Sequence, residues 1–188
     1  MVDEGFVGSE PDIKILLSHL VGKEAEHHGA ISICGMDGLG KTTLARKVYH
    51  HKDVRSHFEA FAWVSISQQW QLKDVLQRIL TILLPDRSWT STGNMIEHQL
   101  LKQLYKVQRE KKCLVVLDDI WSLDAWKSLS PAFPMGNKRS KIILTTRNKN
   151  VAAFVDQGGF LHEPKCLSKE DSWKLFEKKA FPITDFTG

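Results

Sequence analysis

The sequence predicts an α/β fold: a three-layer sandwich with helices on both faces of a central, mainly parallel sheet of five strands. Short β-branched or aromatic runs alternate along the chain with segments whose apolar residues recur at helical spacing. Two of these runs, at 113–119 and 140–146, are almost wholly apolar, which is typical of strands covered on both faces. The 188 residues suffice for one such domain and are too few for two full ones.

The elements follow one another at regular intervals. The predicted strands are "AISICG" (30–35), "FAWVSI" (61–66), "CLVVLDD" (113–119), "SKIILTT" (140–146) and the less regular "LHEPKCL" (161–167). Apolar residues at helical spacing predict three helices, whose apolar faces begin at Leu44, Leu72 and Ile96. Pro85 is predicted to end the second of these helices. Ser168, with Asp171 three residues later, predicts the start of a last helix.

Composition excludes several classes of protein. Apolar residues make up 42% of the chain, and the net charge of +4 is spread without a run of five like charges. A nucleic-acid partner is therefore not indicated, and no apolar run approaches the roughly 18 residues of a membrane span. Cys34, Cys113 and Cys166 lie in or beside apolar runs, which predicts buried, reduced thiols and a cytoplasmic location. Trp63, Trp121 and Trp173 are predicted to lie in the core.

A phosphate-binding loop is predicted between the first strand and the helix that follows it. Gly35, Gly40, Lys41 and Thr42 fit the pattern G-x4-G-K-T. Glycines let consecutive backbone N–H groups converge on an anion, and the helix N-terminus adds partial positive charge. Lys41 is predicted to reach the β- and γ-phosphates, and the Thr42 hydroxyl is predicted to bind Mg²⁺.

Two carboxylates follow the apolar strand at 113–119. Asp118 is predicted to hold the metal or its water, and Asp119 to orient or deprotonate the attacking water. The alternative is a solvated turn. Adjacent acids at a strand end favour hydrolysis over transfer to a metabolite.

Arg147 directly follows the strand at 140–146. If that strand lies between the other two, Arg147 reaches the γ-phosphate; the alternative is a solvated arginine, which is common just after a strand.

Five motifs, in order, resemble the nucleotide-binding (NB-ARC) domain of plant NLR disease-resistance proteins. They are "GMDGLGKTTLARKVY", "FEAFAWVSISQQW", "CLVVLDDIW", "SKIILTTRNKNVA" and "LSKEDSWKLFEKKAF". Trp121 and the sequence "AWVS" at residues 62–65 resemble the motifs of the coiled-coil class of that family. The resemblance covers nearly the whole chain and implies a P-loop NTPase fold.

The resemblance also implies a site. It implies an adenine-nucleotide switch that binds ADP or ATP with Mg²⁺, turns over slowly and works with other receptor domains and protein partners. "FVGSE" resembles the stretch that lines adenine, at Val7 and Gly8. Arg147 is implied to face the γ-phosphate from a strand between the P-loop and Asp118 strands. The remaining nucleotide contacts are implied at the P-loop residues Gly35, Gly38, Leu39, Gly40, Lys41, Thr42 and Thr43.

Asp37 departs from the family's second glycine, and we expect its side chain to point outward, away from phosphate. By resemblance, residues 1–28 line the adenine side, 29–167 form the P-loop domain, and 168–188 begin a truncated helical subdomain. The family's GLPL and MHD segments do not follow, so we expect binding without switching. Two alternatives stay open: a small P-loop kinase acting on a metabolite, and an inert decoy that docks onto other receptors.

Overall fold

A five-stranded sheet forms the centre of the computed structural model, which describes residues 10–26, 29–85, 95–134, 139–156 and 159–181. Its strands are β1 (Ala30–Cys34), β2 (Ala60–Ser65), β3 (Cys113–Ile120), β4 (Lys141–Thr146) and β5 (Gly159–His162). They lie in the order β2-β3-β4-β1-β5, and every neighbouring pair is parallel. The α/β fold is confirmed, and β4 lies between β1 and β3, as the resemblance implied.

Helices connect the strands. They are α1 (Glu10–Leu20), α2 (Lys41–Tyr49), α3 (Lys52–His57), α4 (Leu72–Leu83), α5 (Glu97–Glu110), α6 (Leu123–Leu129), α7 (Lys149–Asp156) and α8 (Lys169–Ala180). Short 3-10 turns occur at Lys23–Glu26 and Ser130–Ala132. Helix α4 ends before Pro85, as predicted, because proline cannot donate the amide hydrogen bond that a further turn requires. None of the helices that the structure describes has the length and apolar character needed to span a bilayer.

The sheet is covered on both faces because successive side chains of a strand point to opposite sides. On β3, Leu114 and Val116 belong to the apolar cluster formed with α1, α2 and α3. Val115 and Leu117 belong to a second cluster, which includes side chains of α4, α5, α6 and α7. This explains the almost continuous apolar run of β3, and it gives the three predicted layers.

The fifth strand lies earlier than predicted, at Gly159–His162 and not at 161–167. Pro164 has no amide hydrogen to donate to a neighbouring strand, so the pairing ends before it. Gly159 opens the strand because a Cβ there would lie 2.8 Å from the Ala30 carbonyl oxygen. The close approach of two backbones favours glycine over any residue with a side chain.

Of the three tryptophans predicted to lie in the core, Trp63 is half-buried and packs against the apolar cluster of α1, α2 and α3, and the other two predictions are wrong. Trp173 on α8 is 60% exposed, and α8 contributes no buried side chain. Trp121, directly after β3, is half-buried, whereas Trp126, which was not singled out, is buried at 2% exposure. A helical stripe shows which apolar residues share a face, but not whether another element covers that face.

The three cysteines are free, but they differ in burial. Cys34 and Cys113 are buried as predicted, whereas Cys166 is exposed. Burial raises the pKa of Cys113 to about 11, and burial also raises the pKa of Cys34. The reactive form of a thiol is its thiolate, so a raised pKa makes both buried cysteines less reactive.

We therefore expect iodoacetamide at pH 8 to alkylate the folded protein at Cys166 and to spare Cys113. At that pH roughly one Cys113 thiol in a thousand is ionised, since each pKa unit is a factor of ten. Peptide mass spectrometry after a short exposure measures this, and denatured protein serves as the control. Equal labelling of Cys113 and Cys166 in the folded protein would contradict it.

Candidate functional site

The loop between β1 and α2 has the backbone shape that binds anions. Gly38 and Gly40 adopt φ of 78° and 77°, in the left-handed region that glycine enters without strain. Gly40 is the N-cap of α2, and no side chain caps this end of the helix. The first N–H groups of a helix have no partner within it, so they are available to an anion at the loop.

Lys41 supplies the positive charge of this loop. Its side chain is buried to 8% exposure, and its Nζ donates a hydrogen bond of 2.7 Å to the Met36 carbonyl oxygen. This bond holds the ammonium group over the loop. The site therefore combines a fixed cation with a helix N-terminus, which favours phosphate.

Thr42 and Asp118 meet although 76 positions separate them. The Thr42 hydroxyl donates to Asp118 Oδ1 at 2.8 Å, and Thr145 on β4 donates to the same oxygen at 2.7 Å. Asp118 is 7% exposed. A hydroxyl beside a carboxylate forms a hard-oxygen donor set, which fits Mg²⁺, an ion that completes its shell with water and phosphate oxygens. Thr145 was not predicted from the sequence. A polar residue inside a buried strand could have indicated it.

A local irregularity of β3 sets the direction of the Asp119 side chain. The β3–β4 register shifts between Leu117 and Ile120, and Asp119 has φ of 62°. Its N–H donates to Thr145 Oγ1 at 2.8 Å. Such a bulge redirects a side chain, and aspartate tolerates the left-handed region better than most residues do. Adjacent acids thereby take different directions, with Asp118 toward Thr42 and Asp119 toward Arg147.

Arg147 directly follows β4, at the same carboxyl end of the sheet as Asp118 and Asp119. Its Nη2 is 3.3 Å from Asp119 Oδ2, its Nη1 forms an ion pair with Asp37, and its guanidinium lies 3.9 Å from the Trp121 ring centre. The hydrogen bond with Asp119 raises the pKa of Arg147, and the charges of Asp119 and Asp37 act in the same direction. The expectation for Asp37 is therefore wrong: its side chain is exposed, but it turns toward Arg147.

A pocket of about 550 Å³ unites most of the predicted site. The predicted residues that line it are Gly38, Gly40, Lys41, Thr42, Thr43, Asp118, Asp119 and Arg147. Gln68, in the loop after β2, also lines the pocket and was not predicted from the sequence. Gln68 lies within the quoted motif "FEAFAWVSISQQW", but that motif was not used to predict a site residue.

Gly35 and Leu39 do not line this pocket. The Leu39 side chain packs over Gly35, where a Cβ would lie 2.8 Å from Leu39 Cδ1. Val7 and Gly8 lie outside the described residues.

A second pocket of about 300 Å³ adjoins the other side of the loop. It lies between α1, the segment 164–168 and the loop, and its lining includes Ile15, Leu39, Pro164 and Leu167. His162 Nε2 lies 3.0 Å from Asp12 Oδ1 and so connects β5 to α1 beside this pocket. Aliphatic side chains on both sides suit a flat apolar group.

Comparisons with known proteins identify the family of the chain. Residues 9–185 match the NB-ARC domain. The chain is 44% identical over 178 residues to the putative disease resistance protein At1g50180 of Arabidopsis thaliana, covering 95% of this chain and 20% of that protein. It is 43% identical over 181 residues to disease resistance protein RPP13 of Arabidopsis thaliana, covering 95% and 22%. The chain thus spans about a fifth of the length of these relatives.

Solved structures share the fold at low sequence identity. A signal transduction ATPase with numerous domains and a tetratricopeptide repeat sensor, from Pyrococcus horikoshii, aligns with a TM-score of 0.64 and 21% identity over 96% of this chain and 26% of that one. The ORC2 protein of Aeropyrum pernix aligns with a TM-score of 0.64 and 18% identity over 95% and 54%. The P-loop ATPase fold is therefore confirmed. With nearly all of its length matched by the family and by close relatives, this chain belongs to the NB-ARC domain family, the nucleotide-binding domain of disease resistance proteins.

Proposed function

We propose that this chain is the ADP- and ATP-binding module of a plant innate-immune receptor, with at most slow ATP hydrolysis. The observation that carries the proposal is the meeting of Lys41, Thr42, Asp118 and Arg147 at one pocket. The names of the Arabidopsis relatives, which are disease resistance proteins, supply the defence role.

Each part of the site has a task in this proposal. The loop amides bind the β-phosphate, Lys41 reaches the β- and γ-phosphates, and Arg147 approaches the terminal phosphate from β4. Thr42 and Asp118 hold Mg²⁺, which neutralises phosphate charge when bound. The second pocket takes the adenine base between Leu39 and the segment 164–168, with Val7 and Gly8 retained as further proposed contacts.

Asp119 is proposed to orient or deprotonate the water that attacks ATP. For this task the carboxylate must be free of Arg147, so a slow turnover is expected while the two remain 3.3 Å apart. General-base groups contribute about 10²- to 10⁴-fold to a rate.

We expect Asp119→Asn to lower phosphate release from ATP with Mg²⁺ at least about tenfold, since an amide does not accept the proton. Asparagine also tolerates the left-handed backbone, so folding is retained. Asp124→Asn, at an exposed position on α6, is the matched control. An unchanged rate in Asp119→Asn would remove this role.

Residues 168–188 are proposed to begin a helical unit separate from the P-loop domain at 29–167. The support is α8, whose described residues include no buried side chain although Trp173 and Phe176 are apolar. Contacts with other receptor domains belong to this proposal. The cytoplasmic location stays a prediction.

A thermal-shift titration with ADP and with ATP plus Mg²⁺ tests the proposed function. Ligand at about 100 times its Kd adds roughly 2.7 kcal/mol of stability. For a domain of this size that corresponds to a Tm rise of about 5–10 °C. An unmoved melting curve with both nucleotides would reject nucleotide binding and favour the inert decoy.

A further inference from the structure

We propose that Asp37 discriminates between ATP and ADP, because its carboxylate competes with the terminal phosphate for Arg147. The inference rests on the proposed function and assigns a regulatory role to a loop residue within that site.

Arg147 is held from three directions. Asp37 approaches from the phosphate-binding loop, Asp119 approaches from the end of β3, and the Trp121 ring lies against the guanidinium plane. A guanidinium presents its N–H donors around its edge, while its faces are free to stack. The ring can therefore keep Arg147 in place while the partners at its edge change.

The charges around the pocket favour this competition. Lys41 and Arg147 are the cations among the lining residues, and they face three carboxylates, Asp37, Asp118 and Asp119. The lining therefore carries one formal negative charge in excess before any anion enters. Mg²⁺ on Asp118 would more than cancel this formal excess, but it leaves the carboxylate of Asp37 on the loop that must receive phosphate.

The competition acts differently on the two nucleotides. In the proposed site Arg147 meets only the terminal phosphate of ATP. ADP can bind while Arg147 stays paired with Asp37, whereas ATP must exchange that pair for its own phosphate. The Asp37 side chain is 69% exposed, so the pair has the modest strength of a surface ion pair. Asp37 therefore shifts the balance toward ADP by a modest factor and does not exclude ATP.

The test compares Asp37→Asn with wild type by calorimetric titration of ATP and ADP in Mg²⁺. Asparagine keeps the shape and removes the charge. We expect the Kd for ATP to fall about two- to fivefold, the range that loss of a surface ion pair allows. The Kd for ADP should stay constant, so the preference for ADP falls by the same factor. Asp53→Asn, which removes an exposed carboxylate from α3, should change neither value.

A second background separates competition from simple charge repulsion. In Arg147→Gln there is no cation to compete for, so adding Asp37→Asn should leave the Kd for ATP unchanged. An equal gain for ADP and ATP, or a gain that persists with Arg147→Gln, would overturn the inference and leave the proposed function intact. Failure of wild type to bind either nucleotide would reject the proposed function, and this inference with it.

Discussion

Lys41→Ala should raise the Kd for ADP about 10- to 100-fold and leave the protein folded. A hydrogen bond to a charged group contributes about 1.5–3 kcal/mol, and the Lys41 ammonium is the cation fixed over the loop. The substitution also removes the partner of the Met36 carbonyl, which costs about 1 kcal/mol of folding stability. Calorimetric titration measures the affinity, and circular dichroism checks folding.

The matched control for this result is Lys52→Ala, which removes an exposed lysine at the start of α3. It should bind ADP as wild type does, because it lies outside the residues that line the pocket. Equal affinities for ADP in Lys41→Ala and wild type would contradict the assignment of the loop.

Trp126→Ala should have the largest effect on stability, about 3–5 kcal/mol, which is typical for removal of a buried tryptophan. Trp126 lies on α6 at 2% exposure and stacks against Phe133 within the cluster that supports β3. At about 2–4 °C per kcal/mol, the expected fall in Tm is roughly 6–20 °C. Urea unfolding followed by fluorescence measures it.

Trp173→Ala provides the comparison. That side chain is 60% exposed, and its Nε1 donates to Glu177 of the same helix, so its loss should cost about 1 kcal/mol or less. Similar losses of stability in the two variants would contradict the burial assigned to α6 and α8.

The strands near the site could be predicted because their signal is local. The runs at 113–119 and 140–146 are apolar throughout, and buried parallel strands require this. Since carboxyl ends of parallel strands meet at one edge, the spacing of Lys41, Thr42 and Asp118 was enough to predict a shared site. The short strand β5 lacks such a run, and its position depends on the contact of Gly159 with Ala30.

The rest of the site depends on contacts between distant segments. The Thr145 hydroxyl on β4 donates a hydrogen bond to Asp118 on the neighbouring strand β3. Arg147 forms an ion pair with Asp37, which lies 110 positions away in the sequence. Asp119 adopts a positive φ where the β3–β4 register shifts, and no residue pattern in β3 predicts this irregularity. Tertiary packing sets the side-chain direction at these positions. The expectation for Asp37 considered only its repulsion from phosphate and did not include its ion pair with Arg147.

The most direct test of the central claim is a crystal structure of the chain grown with ADP and Mg²⁺ at concentrations that saturate binding in solution. We expect β-phosphate oxygens within about 2.7–3.2 Å of the amide nitrogens of residues 38–41. Mg²⁺ should lie about 2.0–2.1 Å from Thr42 Oγ1. Nucleotide ordered outside this loop, or Mg²⁺ bound without Thr42, would contradict the account.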